Sequence, residues 1–333
     1  MSGAGGTPAA LDASASDSVG VAIEVSALGG GHTASEFVEF AMAALEGAAD
    51  VELRAWSVRR LRSSSSGGIT LRRSARGWLG ERAARLGVPI STSWASPPAE
   101  VIFEASGPLS LRACAPGVLS VHEFDRAGDT SSRRRRRGRL RRAADDGVVL
   151  HVMTSAHADA LVDELGVSRA AIAVAAPGVR PARSSPAGPA LGAAQIVVLR
   201  GSNPSGDQAV LERLRAAGAT VELASSPPAS PCSCCVLATP DDGFPLVAFE
   251  ALAAGTAVVV TRTPTTTELL EGAATLVDAD STQDVVDAAM ELCANDAARA
   301  IAVAAGRARA DDFSWARRAT ALVGVVRRSV VRP

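Results

Sequence analysis

The sequence contains no tyrosine, and aromatic residues make up only 3% of its 333 residues. Lysine is also absent, so all 34 basic residues are arginines. This absence excludes Schiff-base chemistry on lysine and leaves arginine, histidine and backbone N–H groups to neutralise a phosphate. An Ala- and Arg-rich chain without lysine is typical of a GC-rich bacterial genome, which reflects coding bias rather than chemistry.

The chain also has no excess of one charge, because its formal net charge is −1. Bulk electrostatic binding to nucleic acid needs a basic excess, so a nucleic-acid partner is not expected.

Cysteine is sparse and odd in number, which argues against a secreted disulfide framework. The five positions are Cys114, Cys232, Cys234, Cys235 and Cys293. The cluster from Cys232 to Cys235 could hold a metal, but no histidine lies close by in the sequence. We favour the interpretation that these cysteines are ordinary small residues leading into a strand, and we expect no metal.

No apolar run reaches the ~20 residues that a membrane-spanning helix needs. Residues 1–18 are rich in Ala, Ser and Gly and lack a basic segment, so they predict a disordered tail rather than a signal peptide. The expected location is the cytoplasm.

What the chain does contain is a repeated strand-and-helix pattern. Val19–Ala27 predicts a buried strand, Gly29-Gly30-Gly31 a turn, and His32–Leu45 a helix with Phe37 and Phe40 on one face. Short apolar runs, such as Val101–Glu104, alternate with helical stretches through the rest of the sequence, which favours parallel sheets. Pro181–Pro189 has no periodicity and marks a domain boundary. The predicted divisions are a first domain over 19–180, a linker over 181–191, a second domain over 192–313 and a terminal helix over 314–333.

The most informative segment runs from Pro240 to Asp280. An acidic-Gly turn at Asp242 leads into a helix over Pro245–Ala253, and Glu250 lies eight positions after Asp242. A strand over Ala257–Thr261 and a Thr-rich turn follow. A turn and helix start offer backbone N–H groups to a diphosphate, and the two carboxylates can accept hydrogen bonds from sugar hydroxyls. On spacing alone, Asp242 as a helix N-cap and Glu250 as a solvated residue explain the pattern equally well.

The order of residues from Asp242 through Glu250 and Gly255 to Val260 resembles the donor-site signature of family-four retaining glycosyltransferases. Glu268, Gly272 and Leu276–Asp278 match the next segment of that family, and Phe313-Ser314-Trp315 resembles the start of its last helix. The resemblance implies the GT-B fold, in which two Rossmann-like parallel-sheet α/β domains face a cleft and the last helix crosses back to the first domain. It also implies a nucleotide sugar as substrate, no cofactor, and retaining, metal-independent transfer of a hexosyl-type group.

Four segments of the first half resemble the same family more weakly. They are the glycine-rich loop over Ser26–His32, Ser120–Glu123, Thr154–His157 and Ile172–Val179. His122 at a strand end could contact donor or acceptor, and the alternative is a structural histidine bonded to a neighbouring carbonyl.

The resemblance implies a set of site residues. The catalytic set is His122, Asp242 and Glu250, and the donor-binding set is Gly29, Gly30, Gly31, Arg200, Gly243, Phe244, Pro245, Leu246, Glu250 and Glu268. The second domain is shorter than in the family and lacks a clear Gly-Arg…Arg-Lys element for the diphosphate. Arg200-Gly201 is the nearest counterpart, and a plain surface arginine is the alternative. A catalytically silent binding or scaffold subunit, or an epimerase or hydrolase of sugar nucleotides, therefore stays open as a rival function.

A dense arginine run lies in the predicted helix over Arg133–Ala144. Its members are Arg133, Arg134, Arg135, Arg136, Arg137, Arg139, Arg141 and Arg142. Such charges usually form a solvated face, but their mutual repulsion favours an anionic partner. Phospholipid head groups at the cytoplasmic membrane face or a phosphorylated acceptor would fit, whereas nucleic acid is disfavoured because no aromatic residue interleaves the run.

Overall fold

The computed structural model describes residues 18–27, 32–57, 72–73, 79, 82, 90–105, 112–114, 116–122, 130–180, 196–201, 203–228, 232–239, 243–278 and 281–330. Nearly all of the predicted tail, the predicted linker, Gly29–Gly31 and Asp242 lie outside these residues. The backbone of Arg133 is described, but its side chain is not.

Within the described residues, the first half of the chain builds one seven-stranded sheet. Its strands are β1 (Val19–Glu24), β2 (Val51–Ser57), β3 (Arg72–Arg73), β4 (Val101–Glu104), β5 (Gly117–Ser120), β6 (Val149–Val152) and β7 (Ile172–Val174). All neighbouring strands pair in parallel in the order β3-β2-β1-β4-β5-β6-β7. The strand order reverses between β1 and β4, which is where open α/β sheets form a ligand crevice.

Helices cover both faces of this sheet: α1 (His32–Glu46), α2 (Thr92–Ala95), α3 (Thr130–Asp145) and α4 (Ser155–Leu165). Phe37 and Phe40 of α1 are buried in the same cluster as Val21 and Ile23. On the opposite face, α3 and α4 bury Leu140 and Leu161 against β5 and β6. A single-turn 3₁₀ helix at Arg169–Ala171 leads into β7.

The second half builds a five-stranded sheet. Its strands are β8 (Ile196–Leu199), β9 (Val221–Ala224), β10 (Cys234–Leu237), β11 (Ala257–Thr261) and β12 (Thr275–Val277), all parallel in the order β12-β11-β10-β8-β9. Its helices are α5 (Pro204–Ala216), α6 (Leu246–Ala253), α7 (Pro264–Leu270), α8 (Thr282–Ala294) and α9 (Asp296–Asp312). Residues of α5 and α8 lie in one core cluster and residues of α6 lie in the other, so these helices cover opposite faces of the sheet. The strand order reverses between β8 and β10, which is the switch point of this sheet. The predicted fold class of two Rossmann-like parallel-sheet domains is confirmed.

The last helix, α10 (Trp315–Val330), packs on the first domain. Arg327 donates two hydrogen bonds to the Asp50 carboxylate, with Nε to Oδ2 at 2.9 Å. Where the chain enters α10 it lies beside the end of the first domain, because Val179 N–H donates to Phe313 O at 2.6 Å. Gly178 is required there by close approach, since a Cβ atom on it would lie 2.5 Å from Trp315 Cα.

One predicted element is wrong. The Thr-rich stretch after β11 was expected to be a turn, but Pro264–Leu270 forms α7. Thr263 caps this helix: its hydroxyl accepts Thr266 N–H, and the Thr266 hydroxyl accepts Thr263 N–H. Threonine has low helix propensity but is a good N-cap, so the capping box sets the start of the helix where propensity alone predicts none.

Among the described helices, none has both the length and the apolar character of a membrane span.

Candidate active site in the interdomain cleft

The carboxyl edges of the two sheets meet at Gly243 and His122. His122 follows β5 in the first domain, and Gly243 follows β10 in the second. A Cβ atom on Gly243 would lie 2.5 Å from the backbone oxygen of His122, so only glycine allows the two chains to approach this closely. Two segments that the sequence marked separately therefore line one cleft.

The turn after Gly243 is tight. Leu246 N–H donates to Phe244 O at 2.8 Å, and Pro245 has φ −79° and ψ 63°, which is the geometry of an inverse γ-turn. Leu246 was predicted to bind the donor, but its N–H is used inside the turn and Pro245 has none. Of the four predicted donor-binding residues from Gly243 to Leu246, the turn leaves the N–H groups of Gly243 and Phe244 unused.

The Phe244 side chain anchors the turn by packing into a buried aromatic cluster. Its ring is 3% exposed, stacks on Phe249 with centroids 4.9 Å apart, and packs against Phe313 at 5.9 Å. Arg318 lies over the Phe313 ring with its guanidinium carbon 3.9 Å from the centroid. The aromatic cluster ties the Gly243 turn to the segment that crosses back into the first domain.

Glu250 lies on α6 one turn before the helix ends and is half-buried. The neighbouring residues Phe249 and Ala251 are fully buried, so the helix cannot rotate to move Glu250 without breaking the core. Asp242, its predicted partner, lies outside the described residues.

His122 is held by its own domain. Its Nε2 lies 2.6 Å from Ala105 O, and its ring packs edge-on against Phe37 with centroids 4.9 Å apart. A carbonyl oxygen only accepts, so Nε2 carries the proton and donates it to Ala105. The structural alternative for His122, a bond to a neighbouring carbonyl, is the arrangement found here.

A second histidine, His151, lies under His122 and is fully buried. Its Nε2 donates to Ala175 O at 2.8 Å, its Nδ1 accepts the Ser120 hydroxyl at 2.9 Å, and its ring stacks on Phe37. Burial lowers the pKa of His151 to about 4, so the ring is neutral at neutral pH. His151 therefore fixes the ends of β5 and β7 without adding charge beneath the cleft.

Glu268 was predicted to bind the donor, but its carboxylate reaches the first domain. Oε1 accepts Ser155 N–H and Oε2 accepts Ala156 N–H, each at 2.8 Å. Both donors belong to the first turn of α4, so the carboxylate bridges the two domains.

The switch point of the second sheet contains a buried acid that the sequence analysis missed. Asp207, 1% exposed, accepts Gly201 N–H at 2.8 Å and the Thr239 hydroxyl at 2.6 Å, which ties the loop after β8 to the end of β10. Gly201 packs directly on Thr239, because a Cβ atom there would lie 1.9 Å from Thr239 O. Arg200 precedes this contact and is exposed at the carboxyl edge of the sheet. An acid in the first turn after an Asn203 cap was the only sequence signal for Asp207.

At the switch point of the first sheet, Glu24 and Glu104 are register partners on β1 and β4 and are both buried. The Glu24 carboxylate accepts Ser26 N–H at 2.8 Å, and the Ser26 and Ser57 hydroxyl oxygens lie 2.9 Å apart. These bonds fix the described chain between the end of β1 and Ala27. Neither glutamate was singled out from the sequence.

Comparison with known proteins finds one family match, in the second half of the chain. Residues 214–324 match a family model described as glycosyl transferase-like. No curated protein matches the sequence.

Solved structures with the same architecture cover nearly the whole chain. Sucrose-phosphate synthase from Thermosynechococcus elongatus superimposes with a TM-score of 0.65 at 14% identity, covering 93% of this chain and 98% of that chain. HepE from Anabaena, in complex with UDP-glucose, gives 0.65 at 12% identity over 93% and 100% of the two chains. The UDP-forming α,α-trehalose-phosphate synthase from Burkholderia vietnamiensis gives 0.60 at 12% identity, also over 93% and 100%.

The chain has the GT-B fold of glycosyltransferases.

Within this GT-B protein, the arginine run lies on α3, on the outer layer of the first domain. Arg134, Arg135, Arg139, Arg141 and Arg142 are exposed, whereas Leu140 and Ala143 point into the core. Arg137 pairs with Glu164 of α4. The exposed arginines therefore form a cationic surface on the outer layer of the first domain.

The cysteine cluster lies away from the cleft, at the amino end of β10. Cys234 and Cys235 are fully buried on opposite faces of this strand, and the Cys232 and Cys235 Sγ atoms lie 3.8 Å apart. In the described part of the chain, no three potential metal ligands come together.

Proposed function

We propose that this GT-B protein transfers a hexosyl-type group from a nucleotide-sugar donor to an acceptor, with retention of configuration and without a metal. The observation that carries the proposal is the contact between the Gly243 turn and the His122 strand end, which brings the donor-side and acceptor-side segments to one cleft. The glycosyl transferase-like match over residues 214–324 and the UDP-glucose bound by HepE support a nucleotide sugar as the donor.

In this proposal the donor lies along the carboxyl edge of the second sheet. Glu250, fixed by its buried helix, accepts hydrogen bonds from the ribose hydroxyls, and Asp242 contacts the donor sugar. Backbone N–H groups of Gly243 and Phe244 approach the diphosphate. Arg200, held at the edge by the Gly201–Asp207 bond, supplies the positive charge that no lysine can provide.

The chemistry is positioning together with stabilisation of the leaving diphosphate. His122 contributes from the opposite wall, where its bond to Ala105 sets the orientation of the ring.

A screen of nucleotide sugars by calorimetry, followed by product analysis with and without acceptors, tests this function. We expect one donor class to bind, and the anomeric configuration by NMR to be retained in the product. Release of free sugar at the same rate without any acceptor would instead identify a hydrolase.

Glu250→Gln sharpens the test. Losing a charge-assisted hydrogen bond should weaken donor binding roughly 10- to 100-fold, while the melting temperature changes by less than about 2 °C, because a half-buried helix glutamate costs little to replace. Glu212→Gln on the exposed face of α5 is the matched control and should change neither quantity. Unchanged donor affinity in Glu250→Gln would return Glu250 to a structural role.

A second candidate is a binding or scaffold subunit without turnover. Within the described residues, the second sheet has five strands and its switch point offers one arginine, Arg200, and no lysine to bind a diphosphate, which favours this candidate. Donor binding with no product under any acceptor condition would select this candidate.

The exposed arginines of α3 suggest where the protein acts. We propose that they bind an anionic membrane at its cytoplasmic face, where each cation contributes on the order of 1 kcal/mol.

A further inference from the structure

The bond between Glu268 and α4 joins two segments that no sequence pattern linked to each other. The first N–H groups of a helix have no partner inside the helix. In α4, Thr154 Oγ1 accepts His157 N–H at 3.1 Å, and Glu268 accepts those of Ser155 and Ala156 at 2.8 Å each. The second domain therefore supplies most of the cap of a first-domain helix.

The electrostatics favour this contact. Ser155–Leu165 spans 11 residues, so its N-terminus carries the positive end of a helix dipole, and no acidic residue of its own lies in the first turn. A carboxylate that accepts two N–H groups makes charge-assisted hydrogen bonds, which are stronger than neutral ones.

The carboxylate is also held rigidly on its own side. The Thr263–Thr266 capping box fixes the start of α7, while Arg309 of α9 donates from Nε to Leu269 O at 2.7 Å and from Nη2 to Glu268 O at 3.1 Å. Because α7 cannot shift without breaking these bonds, the Glu268 contact fixes the position of the whole second domain relative to α4.

We propose that Glu268 is a positioning residue that holds the interdomain cleft in its closed arrangement. Opening the cleft withdraws the carboxylate, and α4 then loses the cap on two N–H groups. The free energy that a helix cap contributes should favour the closed state over the open state by roughly 5- to 30-fold. The consequence for turnover rests on the proposed transferase function, but the closure itself does not.

The test compares Glu268→Ala and Glu268→Gln with Glu271→Ala, an exposed glutamate at the end of the same helix. We expect amide hydrogen exchange at Ser155 and Ala156 to accelerate roughly tenfold in Glu268→Ala, and small-angle scattering to report a larger radius of gyration. Glu268→Gln keeps one carbonyl acceptor and should recover part of both effects. Glu271→Ala should behave as wild type.

Exchange and scattering need no substrate, so they test the closure even if the protein transfers no sugar. If it does transfer sugar, kcat should fall while the donor affinity measured on Glu268→Ala stays within about twofold, because both carboxylate oxygens are already bonded to α4. Unchanged exchange at Ser155 and Ala156 in Glu268→Ala would overturn the proposal. So would a loss of donor affinity with unchanged scattering, which would restore Glu268 to the donor site.

Discussion

Gly243→Ala is the most direct perturbation of the cleft. The new Cβ atom would lie 2.5 Å from His122 O, whereas ordinary contacts begin at 3.4 Å, so the two chains must separate by about 0.9 Å. The obstacle is a backbone oxygen of the other domain, which no side-chain rotation can remove. A displacement near 1 Å from the productive geometry costs on the order of 100-fold in rate.

Stability should respond little to the same change. Gly243 is not among the described glycines with positive φ, so alanine adopts its backbone conformation without strain. The substitution also lowers the entropy of the unfolded chain, which stabilises by about 0.4–1 kcal/mol. The expected result is a melting temperature within about 3 °C of wild type and a kcat/KM about 100-fold lower.

Steady-state kinetics with the donor found by the screen, together with thermal unfolding, measure both quantities. Gly138→Ala is the matched control, because a Cβ atom on Gly138 in α3 meets nothing within 4 Å. It should leave kinetics unchanged and stabilise the helix by up to about 1 kcal/mol. Wild-type kinetics in Gly243→Ala would refute the inference that the turn and the His122 strand end must stay in contact during turnover.

Two further predictions concern pH and charge. The pKa of His151 is about 4 in the folded protein, below its ordinary value of 6.5, so the unfolded chain binds the proton more readily. The stability that neutral His151 contributes is therefore present above pH 6.5 and lost as pH falls towards 4. Wild type and His151→Gln should differ in free energy of unfolding, and this difference should shrink by about 2–3 kcal/mol between pH 7.5 and 4.5. Urea unfolding followed by the fluorescence of buried Trp56 measures it. A difference that does not change with pH would mean that His151 titrates normally. Reversing exposed Arg134, Arg141 and Arg142 to Glu should abolish salt-sensitive binding to anionic liposomes without unfolding, and Arg137 is left intact because it pairs with Glu164. Liposome binding that ignores salt and lipid charge would leave the run as a solvated face or a protein contact.

Most helices and strands could be predicted because their signals are local. The strand Ala257–Thr261 and the strand Val101–Glu104 have the predicted bounds, since short apolar runs between turn residues suffice to mark buried parallel strands. The helix α7 could not be predicted, because its Thr-rich sequence has weak propensity and its stability comes from a capping box and from Arg309.

The candidate site was likewise predictable only in part. The order of residues around Glu250 resembled a donor-site signature, and the GT-B fold that it implied is confirmed. The individual contacts were not predictable. Leu246 uses its N–H inside a turn, and Phe244 packs in an aromatic cluster.

By itself, the sequence determined the alternation of strands and helices and two parallel-sheet domains, because apolar periodicity is a local property of the chain. Because the sequence has no lysine, any phosphate would have to be bound by arginine, histidine or backbone N–H groups. Only the tertiary structure decided that Glu268 caps α4, since its hydrogen-bond donor Ser155 lies 113 residues away. It likewise decided that Gly243 is a point of contact with His122, because the approach of two backbones depends on how the domains pack and leaves no pattern in either segment.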